Sequence, residues 1–164
     1  FQGWYQSCLV VLSSDLREIG RYWNPGHLGH LAVGSRSPGA PQKIIAAGIN
    51  NDLGREYPGD GYVYCVFLLD PDAVHGEAPP RRGKHGRGAE EWYAVILPKD
   101  EGIKRIELVD FNDDGESEIC VWSNGGHVFY LDFDGRLLSQ TRSDPATGSA
   151  EYRVVDDRRP AGER

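Results

Sequence analysis

The stretch DFNDDGESEIC, residues 110–120, gathers the side chains best placed to do chemistry. Asp110, Asn112 and Asp114 fall at alternate positions, Gly115 follows, and Glu118 stands just before the apolar run 119–122. Alternate side chains of a tight loop can point inward together, and Gly115 permits the positive-φ turn that carries the chain round an ion. The carbonyl of Glu116 could then face the ion, and Glu118 could close the site. Calcium takes six to eight hard oxygen ligands in a flexible geometry. Asp110, Asp114 and Glu118 bring three formal negative charges, enough to balance a divalent cation. The loop offers no nitrogen or sulfur ligand, which disfavours zinc and copper. An EF-hand would need a bidentate glutamate at loop position 12, and that position is Val121, inside an apolar run. The competing reading is a metal-free polar turn whose Asx side chains bond the backbone.

Other residues carry weaker signals. His27 and His30 are three apart in WNPGHLGH, but the segment is not helical, so they need not share a face. They read as part of a connection, with Trp23 packing and the histidines bonding backbone groups. Asn50, Asn51 and Asp52 follow an apolar run and read as turn residues, while His75 and His85 have no evident partner. Asp132 and Asp134 lie at the Gly135 hairpin and are more simply turn formers than an acid/base pair. No G-x-S-x-G elbow and no glycine-rich phosphate loop occurs. Cys8, Cys65 and Cys120 each lie in an apolar run and read as buried, unpaired strand residues.

The elements that must position these residues read as strands. Apolar runs rich in Val, Ile, Tyr, Phe and Trp occupy 8–12, 30–33, 43–49, 62–69, 92–97, 103–109, 118–122, 128–131 and 152–155. Gly at 21 and Pro at 10 among 164 residues supply many turns between them. The best helix candidate is 14–22, ending at Asn24-Pro25-Gly26. Asn124-Gly125-Gly126 and Asp134-Gly135 read as hairpin turns, so 104–109, 118–122, 127–132 and 136–141 form one antiparallel meander of four strands. Such a meander is the unit of a β-propeller blade. Residues 70–91 read as a long exposed loop inserted between two strands, with a basic core at 81–87, and 156–164 as a flexible polar tail.

The two halves follow the same order of strand, polar glycine loop, strand, Asn-containing turn and aromatic strand. Matching Gly39 to Gly115 sets them 76 residues apart. CLVVLSSDLREIGRYW likewise matches HVFYLDFDGRLLSQTR as the second half of a still earlier unit. Repeats of several tens of residues, each a small sheet, point to a propeller or array. On these residues the chain resembles the FG-GAP/VCBS family, whose calcium loop runs D-x-[DN]-x-D-G-x-x-[DE] before a strand. The earlier copy departs from that pattern, with Gly34, Arg36 and Pro38 where oxygen ligands are needed.

The resemblance implies an all-β fold, two to three blades of a β-propeller over 1–155, and Ca²⁺ held by Asp110, Asn112, Asp114, Glu116 and Glu118. It implies a non-enzymatic, calcium-stabilised binding or scaffold module of an extracytoplasmic protein, with a protein or carbohydrate ligand. Its other partners would be the remaining blades of a parent chain, or further copies. The alternative from a different class is a piece of a polysaccharide-lyase-like propeller enzyme, with its active site at the blade tops near 23–30 or 70–91. The net charge of −7 disfavours a nucleic-acid partner, and no segment reads as inserting into a membrane. The chain opens at Phe1 and contains no methionine, which suggests a fragment, a processed product or an excised domain.

Overall fold

The computed structural model describes residues 6–51, 61–76, 89–97, 102–142 and 151–155. Among them the chain is all-β and antiparallel, in three sheets. Strands β1 (Ser7–Leu12) and β2 (Glu18–Asn24) form a hairpin. Strands β3 (Leu28–Gly34), β4 (Lys43–Asn50), β5 (Val63–Leu69) and β6 (Glu90–Leu97) form a meander, which β11 (Glu151–Val155) extends on the β6 side. The second meander is β7 (Ile103–Val109), β8 (Glu118–Ser123), β9 (His127–Leu131) and β10 (Leu137–Arg142), in that order, as the sequence predicts.

The helix candidate 14–22 is instead a turn followed by β2. Ser13 and Arg17 close the turn, with Leu16 at φ 63°, and Tyr22 is then buried against the middle sheet. Pairing with β1 outweighs a helical propensity too short to stand alone. Cys8, predicted buried, is exposed on β1, whereas Cys65 and Cys120 are buried free thiols. The ends of the 70–91 segment also depart from an exposed loop. Pro71–Ala73 is a 3₁₀ turn capped by Asp70, Val74 and Ala89 are buried, and Glu90 and Glu91 already belong to β6. Asp52, His85, the basic core 81–87 and the tail 156–164 lie outside the described residues.

Two apolar layers hold the sheets face to face. Ile45, Ala47, Val66, Leu68, Trp92, Ala94 and Ile96 of the middle sheet meet Ile106, Ile119, Val121, Phe129 and Leu131 of the β7–β10 sheet. On the opposite face, Ala46, Cys65, Phe67, Leu69, Tyr93 and Val95 receive Leu9 and Tyr22 of the hairpin. Both faces of the middle strands are therefore apolar, so β4 and β5 read as continuous hydrophobic runs. Each large apolar side chain buried this way contributes roughly 1.5–3 kcal/mol.

The same pairing register recurs from sheet to sheet. Leu28 pairs Gly48 and His30 pairs Ala47, with a bulge between; 75 residues on, Ile103 pairs Ser123 and Arg105 pairs Trp122 with the same bulge. The last two strands repeat as well. Leu12 pairs Glu18 and Val11 pairs Gly20; Leu69 pairs Glu90 and Leu68 pairs Trp92; Leu131 pairs Leu137 and Tyr130 pairs Ser139. In each of the three hairpins one residue, Ile19, Glu91 or Leu138, is bulged out.

The turns that close these hairpins also match. The Asp132 N–H donates to Arg136 O (3.0 Å) and the Gly135 N–H to Asp132 O (3.0 Å). Ser13 N–H to Arg17 O (2.8 Å) and Leu16 N–H to Ser13 O (2.9 Å) reproduce that pattern. So do Asp70 N–H to Ala89 O (2.8 Å) and Ala73 N–H to Asp70 O (3.1 Å). The middle hairpin therefore carries its extra residues inside a turn that the other two make with five.

Between hairpin and middle sheet, the linker crosses the end of β4. Asn24 Nδ2 donates to Ile49 O at 2.8 Å, and the Ile49 N–H donates to His27 O at 2.7 Å. The approach is so close that a Cβ on Gly48 would stand 1.9 Å from His27 O. The first strands of the two large sheets also meet: His30 Nε2 bonds Ile103 O at 2.9 Å, and a Cβ on Gly34 would lie 2.2 Å from Leu108 Cδ1.

Candidate metal loop and the adjoining cavity

Residues 110–117 connect β7 to β8, whose Val109 and Glu118 are paired across the ladder. Asp113 (φ 59°) and Gly115 (φ 84°) take the left-handed region, and the chain curls back on Asp110. The Asp110 carboxylate accepts the Asp114 N–H at 3.2 Å on Oδ1 and the Gly115 N–H at 2.9 Å on Oδ2. Asn112 Oδ1 accepts the Asp114 N–H (3.1 Å), and Asp114 Oδ1 accepts the Glu116 N–H (2.7 Å). Asn112 Nδ2 donates to Asp114 Oδ2 at 2.9 Å. The loop is thus an Asx-rich turn whose predicted ligands organise its own backbone.

Glu118 differs from the rest. The other loop ligands are exposed, whereas Glu118 is 3 % exposed at the foot of β8. Its Oε2 accepts the Phe111 N–H at 3.0 Å, and Oε1 has no hydrogen bond to a described residue. A buried carboxylate costs free energy unless it is paired and hydrogen-bonded.

The structure places Asp110, Asn112, Asp114 and Glu116 in one turn, with Glu118 at the start of β8. It does not draw their side chains into a cage: among the described residues no group of three His, Cys, Asp or Glu is close enough to hold a metal as the side chains stand. The donor chemistry nevertheless fits calcium. Every candidate atom is a hard oxygen, and each carboxylate oxygen keeps a lone pair beyond the bonds above. Asp110, Asn112, Asp114 and Glu118 would hold the ion through side chains and Glu116 through its carbonyl. The ion would supply the positive charge that Glu118 lacks.

The loop is tied to its neighbours. The Ser117 N–H donates to Arg36 O at 2.6 Å, and Phe111 packs on Tyr130 with ring centroids 4.5 Å apart. The register corrects the alignment of the earlier loop by one residue. Gly34–Lys43 matches Val109–Glu118, so both loops have eight residues, and Ser35, Ser37 and Gly39 stand opposite Asp110, Asn112 and Asp114. Lys43 replaces Glu118, so the middle loop carries a cation where the later one carries its closing carboxylate.

Beside the loop lies a cavity of about 260 Å³, bounded by Arg36, Lys43, Leu68, Glu91, Phe133 and Asp134 among others. Its charges are already paired. Arg36 Nη2 meets Asp134 Oδ2 at 2.9 Å, and Lys43 Nζ bonds Glu91 and lies 3.7 Å from Asp70 Oδ2. Burial acts to lower the pKa of Lys43, but the hydrogen bond and charge of Glu91 outweigh it and leave the ammonium more firmly protonated. Sequence reasoning missed this group because its members come from the β3–β4 loop, β4, β5, β6 and the β9–β10 turn, with no local spacing to join them.

A second buried network joins the hairpin to the middle sheet. Tyr22 Oη and Tyr93 Oη lie 2.7 Å apart, and Tyr93 Oη donates to Glu90 Oε1 at 2.8 Å. Burial, reinforced by nearby negative charge, pushes both phenols well above their usual range. In the 23–30 segment, His27 is exposed and His30 bonds a backbone carbonyl, so the two form no pair. No described helix is long and apolar enough to cross a membrane. Comparison with known proteins finds no matching family model, no matching curated protein and no matching solved structure.

Proposed function

We propose that this chain is a calcium-stabilised, non-enzymatic binding or scaffold module of an extracytoplasmic protein, built from repeated four-stranded sheets of the β-propeller type. The observation that carries the calcium reading is Glu118: a 3 % exposed carboxylate with one hydrogen bond, closing a loop whose other donors are all oxygens. A divalent cation there offsets two of the three charges of Asp110, Asp114 and Glu118 and clamps the end of β7 to the start of β8. The recurrent register, bulge and turn of the three hairpins support the repeat. The convergence of β3 and β7 supports a radial arrangement, in which the first strand of each sheet lies nearest a common axis. In this reading the loop is structural, and a protein or carbohydrate is recognised elsewhere on the sheet ends.

Isothermal titration of CaCl₂ into the chelator-treated chain tests the site directly. A Kd of about 10⁻⁴–10⁻³ M is expected, the range of extracellular calcium modules. Mg²⁺ should bind far more weakly, because it demands near-ideal octahedral geometry and dehydrates reluctantly. Asp114→Ala should remove the calcium heat. Absence of a calcium-specific heat at millimolar concentrations would overturn the reading.

A further inference from the structure

The cavity beside the metal loop combines two kinds of wall. Leu68 of β5 and Phe133 of the β9–β10 turn give it an apolar lining, and both are buried. Its polar wall holds two cation–anion couples, Arg36 with Asp134 and Lys43 with Glu91. The first couple joins the β3–β4 loop to the β9–β10 turn, so it bridges the two large sheets. Its Asp134 side chain is 53 % exposed and stands at the rim, where a solute can reach it. The cavity volume of about 260 Å³ lies just under the range of drug-sized ligand sites, roughly 300–1,000 Å³, and suits a molecule of one ring.

The couples decide what kind of molecule fits. Arg36 Nη2 lies 2.9 Å from Asp134 Oδ2, and Lys43 Nζ bonds Glu91 with Asp70 Oδ2 3.7 Å away. An entering carboxylate or phosphate would gain Arg36 and Lys43 but meet Asp134, Glu91 and Asp70. An entering ammonium would meet both cations, and a zwitterion would have to open both couples. A neutral hydroxyl has none of these costs, because it accepts from a cationic N–H and donates to the carboxylate oxygen beside it. A guanidinium has five N–H donors and an ammonium three, so the couples stay intact while they bond a ligand. Hydrogen bonds to charged groups are among the strong ones. Held in ion pairs, these donors and acceptors are ordered before the ligand arrives, which lowers the entropy lost on binding. Leu68 and Phe133 supply an apolar surface for the C–H face of a ring. We propose that this cavity binds a neutral polyhydroxylated ring, the pyranose unit of a carbohydrate. The inference rests on the reading above that recognition lies at the sheet ends, chooses carbohydrate over protein, and needs no calcium.

Amide chemical-shift titration with methyl glucopyranoside, methyl galactopyranoside and methyl mannopyranoside, each up to tens of millimolar, tests it. At least one should bind with a Kd on the order of 1 mM, as a few polar contacts to a one-ring ligand allow. The largest shifts should fall at residues 36–43, 90–92 and 133–135. Glucuronate and glucosamine, matched rings carrying one charge, should bind about tenfold more weakly. Asp134→Asn keeps the turn, because Asp132 Oδ1 accepts the Asp134 backbone N–H and not its side chain. It should weaken pyranoside binding about tenfold by removing a charged acceptor. Glu91→Gln is the second variant, used if Asp134→Asn lowers the melting temperature. The proposal is overturned if none of the three pyranosides shifts these amides, or if a charged ring binds as tightly as its neutral match. Folded variants that bind like wild type overturn it too. Every titration is run in EDTA and again in CaCl₂. A chain that binds no pyranoside yet keeps its calcium heat sinks this inference alone, whereas pyranoside binding without a calcium heat sinks only the calcium reading.

Discussion

Glu118→Gln is the sharpest test of the loop, because it separates a hydrogen-bond role from a charge role. The glutamine carbonyl can still accept the Phe111 N–H that Glu118 Oε2 accepts at 3.0 Å, so the turn should survive. What is lost is one negative charge at a site that is 3 % exposed. Without calcium, removing that charge relieves desolvation, and the variant should be as stable as wild type or more so. With calcium the order should reverse. Ligand binding to the native state alone adds RT ln(1 + [L]/Kd), which at ten to a hundred times Kd is about 1.4–2.7 kcal/mol. For a domain of this size each kcal/mol moves Tm by about 2–4 °C. Wild type should therefore gain about 3–11 °C between EDTA and excess CaCl₂ at matched ionic strength. Glu118→Gln should gain only a small fraction of that. Differential scanning calorimetry on both proteins in both buffers is the assay. Equal melting curves for wild type in EDTA and calcium would refute the reasoning, and so would a Glu118→Gln variant with the full gain.

Three further outcomes follow from the packing. Gly135 sits at φ 77°, and a Cβ there would lie 2.7 Å from Trp92 Cδ2, whereas Gly39 at φ 83° faces open space. Gly39→Ala should cost only the left-handed strain, roughly 1–2 kcal/mol, and Gly135→Ala clearly more by urea denaturation. Tyr93→Phe removes the oxygen between Tyr22 Oη and Glu90 Oε1, leaving a buried hydroxyl short of its partner; about 1–3 kcal/mol should be lost, with non-additive coupling to Tyr22→Phe. Burial raises the Cys65 thiol to about 12, above its ordinary value of 9.0. Because the raised pKa belongs to the folded state, the unfolded chain releases this proton first. The contribution is intact below pH 9 and is lost as pH climbs towards 12, by about 4 kcal/mol at most. Cys65→Ala should flatten that alkaline slope, and at pH 8 a thiol reagent should label Cys8 before either buried cysteine.

Most of the fold was legible because strands announce themselves locally. The meander β7–β10 was readable from ICVW, HVFYLD and the turn residues between them, since hairpin turns need Asn, Asp and Gly where φ turns positive. The β2 segment was not, because LREIGRYW carries no strand alternation. Its inward residues are Gly20 and Tyr22, and Gly20 faces inward without a side chain because Val74 O would lie 1.7 Å from its Cβ. That requirement comes from the middle sheet, which a local reading of 14–22 does not contain. The fifth strand β11 was visible as an apolar run, but its partner β6 lies more than fifty residues earlier, and nothing near 152–155 specifies that pairing.

The site divides along the same line. Positions 110, 112, 114 and 115 were legible because a loop that wraps a carboxylate must place its acceptors and its glycine at fixed intervals, whether or not an ion is bound. Burial of Glu118 was not legible, since it depends on the loop folding over the first residue of β8. Sequence alignment on glycines placed the earlier loop one residue out, because its left-handed Gly39 falls one position sooner in a loop of equal length. Hydrogen-bond register, not residue identity, fixes which positions are equivalent. On that register Lys43 stands where Glu118 closes the later loop, and its ammonium is already engaged by Glu91 and Asp70. Serines and a built-in cation leave no negative charge for an ion to offset, whereas the later loop carries three carboxylates. The two loops thus solve the same junction with opposite charge, and only the later one should respond to calcium.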